Sequence, residues 1–217
     1  MKLKIINKLK KKIHKDIALL QDLVIEIVYE VFPDAIFHGG TAIWRCYGGT
    51  RFSEDIDIYL DKGELTKIDL FKEKIKQRKL NITKFKITDN VIYAKLVFNN
   101  IEMRFEASFL KIKNKAVIIK PYETIEGNYL NIFTFNADDL IEEKVNTYLS
   151  RFLVRDIYDI YVLLNYIEDD DKVRSYLKKL LSDYKKPKDE EILRSLVFIG
   201  AIPDVDQILT AIRKWAR

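Results

Sequence analysis

Two aspartates, Asp55 and Asp57, are separated by one apolar residue in the run Asp55-Ile56-Asp57-Ile58-Tyr59-Leu60. The run alternates polar and apolar, with Tyr59 as the amphipathic exception, which is the pattern of a half-buried strand. Alternate side chains of a strand share a face, so the two carboxylates point the same way. Neighbouring carboxylates repel, and a divalent cation between them relieves the repulsion. Oxygen donors of this kind suit magnesium or manganese, the ions that accompany nucleoside triphosphates. Upstream, His38 leads into Gly39-Gly40-Thr41 and a short helical stretch. Glycines lack the Cβ that would keep backbone N–H groups away from a phosphate at a helix start. Each feature alone is common, since Asp-x-Asp marks many solvated strand edges and Gly-Gly is usually a turn. In this order they read together as a phosphate cradle followed by a metal-binding strand, the chemistry of nucleotidyl transfer.

Two further groups of residues bear on that chemistry. In the run Ile101 to Phe109, Glu102, Arg104, Glu106 and Ser108 share one face, and Met103, Phe105, Ala107 and Phe109 the other. Two-metal phosphoryl transfer commonly draws a third carboxylate from a neighbouring strand. Glu102 and Glu106 both qualify, and an exposed charge ladder would show the same alternation. Further on, Lys144, Tyr148, Arg151, Arg155 and Asp159 recur at three- and four-residue steps and form one polar stripe if the helix is unbroken. A lysine there reaches a phosphate as a point charge, and arginines grip it with two donors. An ordinary helix surface with an Arg155–Asp159 pair fits the spacing equally well.

Positioning these residues requires a set of elements that the pattern supplies. Apolar residues from Ile6 to Val31 recur every three or four positions, predicting one amphipathic helix that stops before Pro33 and carries His14 on its surface. Ala35-Ile36-Phe37 reads as a strand, and Thr41 to Tyr47 as a helix closed by Gly48-Gly49. After a turn at Asp61-Lys62-Gly63, a charged helix is expected over Ile68 to Leu80 with Leu70, Phe71 and Ile75 inward. Val91 to Phe98 and Ile101 to Phe109 read as strands joined into a hairpin by Asn99-Asn100. Lys111 to Lys120 is basic and turn-like before Val117-Ile118-Ile119 turns strand-like, Pro121 and Gly127 fall in a connection, and Tyr129 to Phe135 is a last strand. From Ala137 the periodicity is helical, with breaks near Leu153, Pro187 and Pro203. A domain boundary is therefore expected near Phe135, dividing an α/β domain (1–135) from a helical domain (136–217).

Composition bounds the class. The chain has 217 residues, 48% hydrophobic and 33% charged, which suits a folded, soluble protein. One cysteine, Cys46, excludes an internal disulfide framework and fits a small buried thiol in a reducing compartment. No apolar run approaches a membrane span and no signal-peptide core is evident, so a cytoplasmic location is expected. The net charge is +5. Lysines crowd the first fifteen residues, where no acid is found, a pattern that attracts phosphate backbones or simply solvates a helix.

Gly39-Gly40-Thr41-Ala42 followed by Arg51-Phe52-Ser53-Glu54-Asp55-Ile56-Asp57 resembles the AbiEii/AbiGii-type nucleotidyltransferases of the DNA polymerase beta-like superfamily, several of which are toxins of toxin–antitoxin or phage-defence systems. The interval from glycines to aspartates is longer than in many superfamily members, and the Arg-Phe-Ser-Glu-Asp segment that fills it points to this branch. Arg104-Phe105-Glu106-Ala107-Ser108 resembles the family's strand with a central acid, and Glu143-Lys144, Arg151 and Arg155-Asp156-x-x-Asp159 resemble its downstream motif. The resemblance implies an α+β fold, a mixed sheet flanked by helices and followed by a C-terminal helical bundle. It implies Asp55, Asp57 and Glu106 as catalytic residues holding two magnesium or manganese ions, with Glu102 the alternate to Glu106. It implies a nucleoside triphosphate bound by Gly39, Gly40, Thr41, Ser53, Lys144 and Asp156. An RNA 3′ end such as that of tRNA is the expected acceptor, and an antitoxin protein the expected partner. The same chemistry would serve a protein or small-molecule hydroxyl, and a catalytically silent binding module is the reading from another class. Oligomeric state is not legible. Arg51 reads as a phosphate contact with no further chemistry assigned, Phe52 is expected to anchor its loop, and Trp215 reads as a packing residue.

Overall fold

The computed structural model describes residues 3–109 and 115–217. Of the basic stretch 111–120, residues 111–114 therefore lie outside the described residues. The elements run α1 (Ile5–Lys8), α2 (Lys12–Val31), β1 (Ile36–His38), α3 (Gly39–Tyr47), β2 (Ile56–Tyr59), α4 (Ile68–Gln77), β3 (Asn81–Ile87), β4 (Val91–Phe98) and β5 (Ile101–Ser108). They continue with β6 (Val117–Glu123), β7 (Tyr129–Phe135), α5 (Ala137–Arg151), α6 (Val154–Leu163), α7 (Asp170–Ser182), α8 (Leu193–Leu196) and α9 (Val205–Trp215). The strands form one sheet in the order β3-β4-β5-β2-β1-β7-β6. It is mixed: β2 pairs parallel with β5 and β1 with β7, while β1–β2, β3–β4, β4–β5 and β6–β7 are antiparallel. This is the expected α+β architecture.

Alternation decides which face of the central strands reaches the core. Ile56 and Ile58 of β2 and Met103, Phe105 and Ala107 of β5 are buried against α2 and α4, in a cluster with Ile25, Val28, Phe71 and Ile75. The intervening Asp57, Arg104 and Glu106 are thereby turned to the other face. A second apolar cluster joins Ile43 and Tyr47 of α3 and Phe135 of β7 to α5, α6, α7 and α9. The sheet and the helical half are thus packed on each side of α3.

Several elements depart from expectation, each for a local reason. The N-terminal helix is broken: α1 ends at Lys8, Leu9 is buried, and α2 begins only at Lys12, which leaves Ile13 45% exposed. His14 is half-buried rather than on the surface, its ring stacked flat on Phe52 at 4.0 Å. Leu70 is exposed, and Ile68 takes its inward place beside Phe71 and Ile75. Pro121 belongs to β6, opposite Asn131; β6 is an edge strand, where the missing N–H costs no ladder bond. Strand β3 was not expected from the sequence, because a bulge between Ile82 and Lys84 breaks its alternation and leaves none of its residues fully buried. The Asn99-Asn100 hairpin is present, both residues having positive φ (48° and 64°), as a type I′ turn demands. No helix among the described residues is long and apolar enough to cross a membrane.

Candidate active site

Helix α3 starts at the floor of a cleft of about 480 Å³. Gly39 has φ +76°, and a Cβ there would lie 2.6 Å from Asp57 Oδ2. A Cβ on Gly40 would meet Ser53 Oγ at 2.7 Å and run into the Arg51 guanidinium. Only glycine fits this close approach, and the backbone is left bare to the cleft. Thr41 is placed differently from its neighbours: its side chain is buried, and its hydroxyl donates to the Asp55 carbonyl at 2.5 Å rather than lining the cleft. Gln21 Nε2 donates to the Ser53 carbonyl at 2.8 Å. These two bonds fix the loop that carries Ser53 and Asp55.

Asp57 and Glu106 are direct partners across the parallel β2–β5 pairing, and Asp55 precedes β2 by one residue. All three line the cleft with Gly39, Gly40 and Ser53. Arg104, two residues before Glu106 and on its face, donates from Nη2 to Asp55 Oδ2 at 2.7 Å. Burial pushes the Asp55 carboxyl up, Arg104 pulls it back, and the Asp57 charge adds to the rise. Glu102 lies away from the cleft, in an ion pair with Lys95 at 2.5 Å. Of the two candidates for a third carboxylate, Glu106 is therefore the one brought to the aspartates.

The facing wall comes from α5 and α6. The expected unbroken stripe does not exist, because Phe152 adopts the left-handed conformation (φ 56°, ψ 52°) and ends α5. A distant loop satisfies the backbone this frees: Lys188 N donates to the Phe152 carbonyl at 2.9 Å, and Val154 N to Asp189 Oδ1 at 2.7 Å. Tyr148 turns into the core and its hydroxyl bonds the Lys185 carbonyl. The Arg155–Asp159 pair is not made either. Asp159 takes both arms of Arg51, at 2.6 Å each, and Lys144 Nζ at 2.7 Å. Asp156 takes Arg151 at 2.8 and 2.7 Å, with Lys144 at 3.7 Å.

Burial opposes ionisation of Asp159, but Arg51 and then Lys144 outweigh it and hold its carboxyl below the usual range. Lys144 lines the cleft, whereas Asp156 is fully buried behind it. Of the two, only Lys144 is open to the cleft, and Asp156 is paired with Lys144 and Arg151.

The sequence reading gave Glu143 no role, yet it gathers His38 Nδ1 at 3.3 Å, the Tyr59 hydroxyl at 3.0 Å and Lys115 Nζ at 2.6 Å. Burial would raise its carboxyl, but His38 and Lys115 lower it to about 2. His38 stacks on Tyr59 at 4.1 Å and lines the cleft. The signal for Glu143 was its position beside Lys144; Arg104 was visible on the polar face of its strand but had no partner until the fold supplied Asp55.

Three carboxylates on one cleft wall are the hard oxygen donors that magnesium or manganese takes. As the side chains stand, no three His, Cys, Asp or Glu among the described residues are gathered tightly enough to ligate one ion. The Arg104 guanidinium is paired with Asp55 Oδ2 at 2.7 Å. The donor set fits a divalent ion, provided Arg104 gives way to it.

A mixed sheet with a glycine cradle at a helix start, paired acids on adjoining strands and a buried lysine opposite defines a nucleotidyltransferase. The sequence model of the family described as nucleotidyl transferase AbiEii toxin, type IV toxin–antitoxin system, matches residues 27–211, and the chain belongs to that family. In fold it is similar to MenT4, a nucleotidyltransferase toxin from Mycobacterium tuberculosis H37Rv, with TM-score 0.63 and 16% identity over 92% of this chain and 81% of that one. It is also similar to JHP933 from Helicobacter pylori, with TM-score 0.58 and 19% identity over 92% and 90% of the two chains. No curated protein sequence matches it.

Proposed function

We propose that this nucleotidyltransferase transfers a nucleoside monophosphate from a triphosphate to a hydroxyl at an RNA 3′ end, such as that of tRNA, and that an antitoxin protein restrains it. The observation that carries the transfer chemistry is the convergence of Asp55, Asp57 and Glu106 on a cleft whose floor is Gly39-Gly40. Asp55, Asp57 and Glu106 are the residues that would hold two divalent ions, which supply Lewis-acid stabilisation of the attacking and leaving oxygens when bound. The triphosphate lies along the bare backbone of Gly39 and Gly40 at the start of α3, where N–H groups and the helix dipole favour anions. Ser53 and Lys144 add a hydroxyl and a fixed positive charge. Asp159 and Asp156 anchor Lys144, so that little reorganisation remains when phosphate arrives.

The acceptor hydroxyl attacks the α-phosphorus in line, the bond to the β-phosphate oxygen breaks, and pyrophosphate leaves. Glu106 or Asp57 takes the hydroxyl proton. An RNA acceptor is supported by the lysines before and at the start of α2. The family's type IV toxin–antitoxin description supports the restraining partner.

The test is label transfer. The chain is incubated with each α-labelled triphosphate, magnesium or manganese, and total RNA, beside an Asp55→Ala/Asp57→Ala control. Label in the tRNA band, absent from the control, is the expected result and also gives the base preference. Label on protein, on a small molecule or nowhere overturns the RNA reading.

A further inference from the structure

A second cleft of about 260 Å³ adjoins the first. Arg51, Ser53, Asp55 and Arg155 line both, so the segment bearing Asp55 stands between them. Lys11 and His14, from the basic N-terminal segment, line only the second, with Glu54 on the same wall. The cradle glycines and Lys144 line only the first.

The cations of the main cleft are almost all committed to carboxylates. Arg104 is on Asp55, Lys115 on Glu143, Arg51 and Lys144 on Asp159, and Arg151 on Asp156. Arg155 is in none of these pairs, and its buried Nε has no hydrogen-bond partner among the described residues. Burial, and then the charge of Arg151, make ionisation of Arg155 less favourable than usual. The charges of Asp156 and Asp55 favour the ionised guanidinium, but neither satisfies the buried Nε, and a phosphate oxygen is a partner that its donors fit.

We propose that the second cleft admits the acceptor strand and that Arg155 grips the acceptor's phosphodiester beside the attacking hydroxyl. The proposal rests on the reading of this chain as a transferase acting on RNA. The glycines and Lys144 that would meet the triphosphate belong to the first cleft alone, and Ser53 stands where the two clefts join. A hydroxyl attacking in line must approach from the side away from the leaving pyrophosphate, and the second cleft reaches Asp55 along a wall that neither cradle glycine lines. Lys11 places a further positive charge along that route.

The experiment is fluorescence anisotropy with a labelled single-stranded oligoribonucleotide and, separately, a labelled non-hydrolysable triphosphate, on the full chain and on R155Q, R155K and K11A. R155Q should weaken oligoribonucleotide binding by about tenfold or more. It should also lower the slope of log affinity against log salt by about one. Triphosphate affinity should stay within about twofold and thermal stability should not fall, because no native pair is broken. R155K should restore the salt slope, and K11A should give a smaller loss confined to the oligoribonucleotide.

A loss confined to the triphosphate, or no loss with either probe, overturns the role of Arg155. Label transfer by the unmodified chain, run alongside, keeps the two readings apart. No transfer to any RNA sinks the acceptor reading itself. Transfer with unchanged oligoribonucleotide affinity in R155Q sinks only the inference about Arg155.

Discussion

Asp57 and Glu106 stand directly opposite each other on β2 and β5, held in register by a parallel pairing that runs from Ile56–Phe105 to Tyr59–Ser108. Like charges at neighbouring positions of a sheet destabilise it, so this arrangement stabilises nothing by itself. Asp57→Asn and Glu106→Gln should each lower label transfer by about 10²- to 10⁴-fold. Thermal unfolding should show equal or slightly higher midpoints, since removing one of two like charges relieves repulsion on the order of 1 kcal/mol. A midpoint that falls together with activity would instead mark the pair as structural.

Arg104 competes with any cation for Asp55, because one of the carboxylate's oxygens already accepts from its guanidinium at 2.7 Å. The side chains of Arg104 and Asp55 are 44% and 32% exposed, so the pair is weak. Arg104→Met should therefore raise manganese affinity, by about two- to fivefold, the factor that an exposed ion pair of up to about 1 kcal/mol allows. Manganese binding followed by electron paramagnetic resonance, without nucleotide, reads this directly. Unchanged or weakened affinity would show that Arg104 does not occupy the ion's place.

The sequence carried the local half of this site and little of the long-range half. Asp55, Asp57, Gly39 and Gly40 were legible because strand alternation and a glycine pair are local patterns, and Glu106 because its strand alternates cleanly. The ion pairs were not legible. Asp159 is bound by Arg51, 108 residues away, and no periodicity within α6 reports that. Spacing offered Arg155 at i,i+4 instead, and the local partner lost to a buried bidentate one. The same holds for Thr41, whose hydroxyl is spent on the Asp55 carbonyl, and for Phe152, whose left-handed turn is stabilised by residues 188 and 189. Strand β3 is not legible in the sequence because its bulge erases the alternation that marks a strand.

Gly39 is the position at which backbone and carboxylate requirements meet. Its φ of +76° is costly for any residue with a Cβ, and that Cβ would sit 2.6 Å from Asp57 Oδ2. Gly39→Ala should destabilise the protein by about 1–2 kcal/mol from the backbone conformation alone, with steric displacement of Asp57 in addition. Urea unfolding gives the first quantity. Isothermal titration with a non-hydrolysable triphosphate should show weakened binding in the fraction that folds. Native-like affinity in this variant would show that the cradle does not depend on a bare backbone here.

Glu143 gives the site a pH signature. Its ordinary value of 4.5 falls to about 2 in the folded protein, because His38 and Lys115 outweigh the effect of burial. For a carboxylate depressed in this way the unfolded state binds the proton more readily. The stabilisation is therefore fully present above the unfolded value and is lost as pH falls from about 4.5 through about 2. A shift of that size corresponds to a contribution on the order of 3 kcal/mol at neutral pH.

Glu143→Gln should remove that contribution, so the difference in urea-unfolding free energy from the unmodified chain should be largest at neutral pH and shrink as the pH is lowered toward about 3. Asp159 is also depressed, by Arg51 and Lys144 against its burial, but it is present in both proteins and cancels in the difference. A difference that stays constant from neutral pH to about 3 would mean that the glutamine loses packing or hydrogen bonds rather than charge. The cluster of His38, Tyr59 and Lys115 would then be held together by shape, and its position on the cleft wall would not depend on an ionised Glu143.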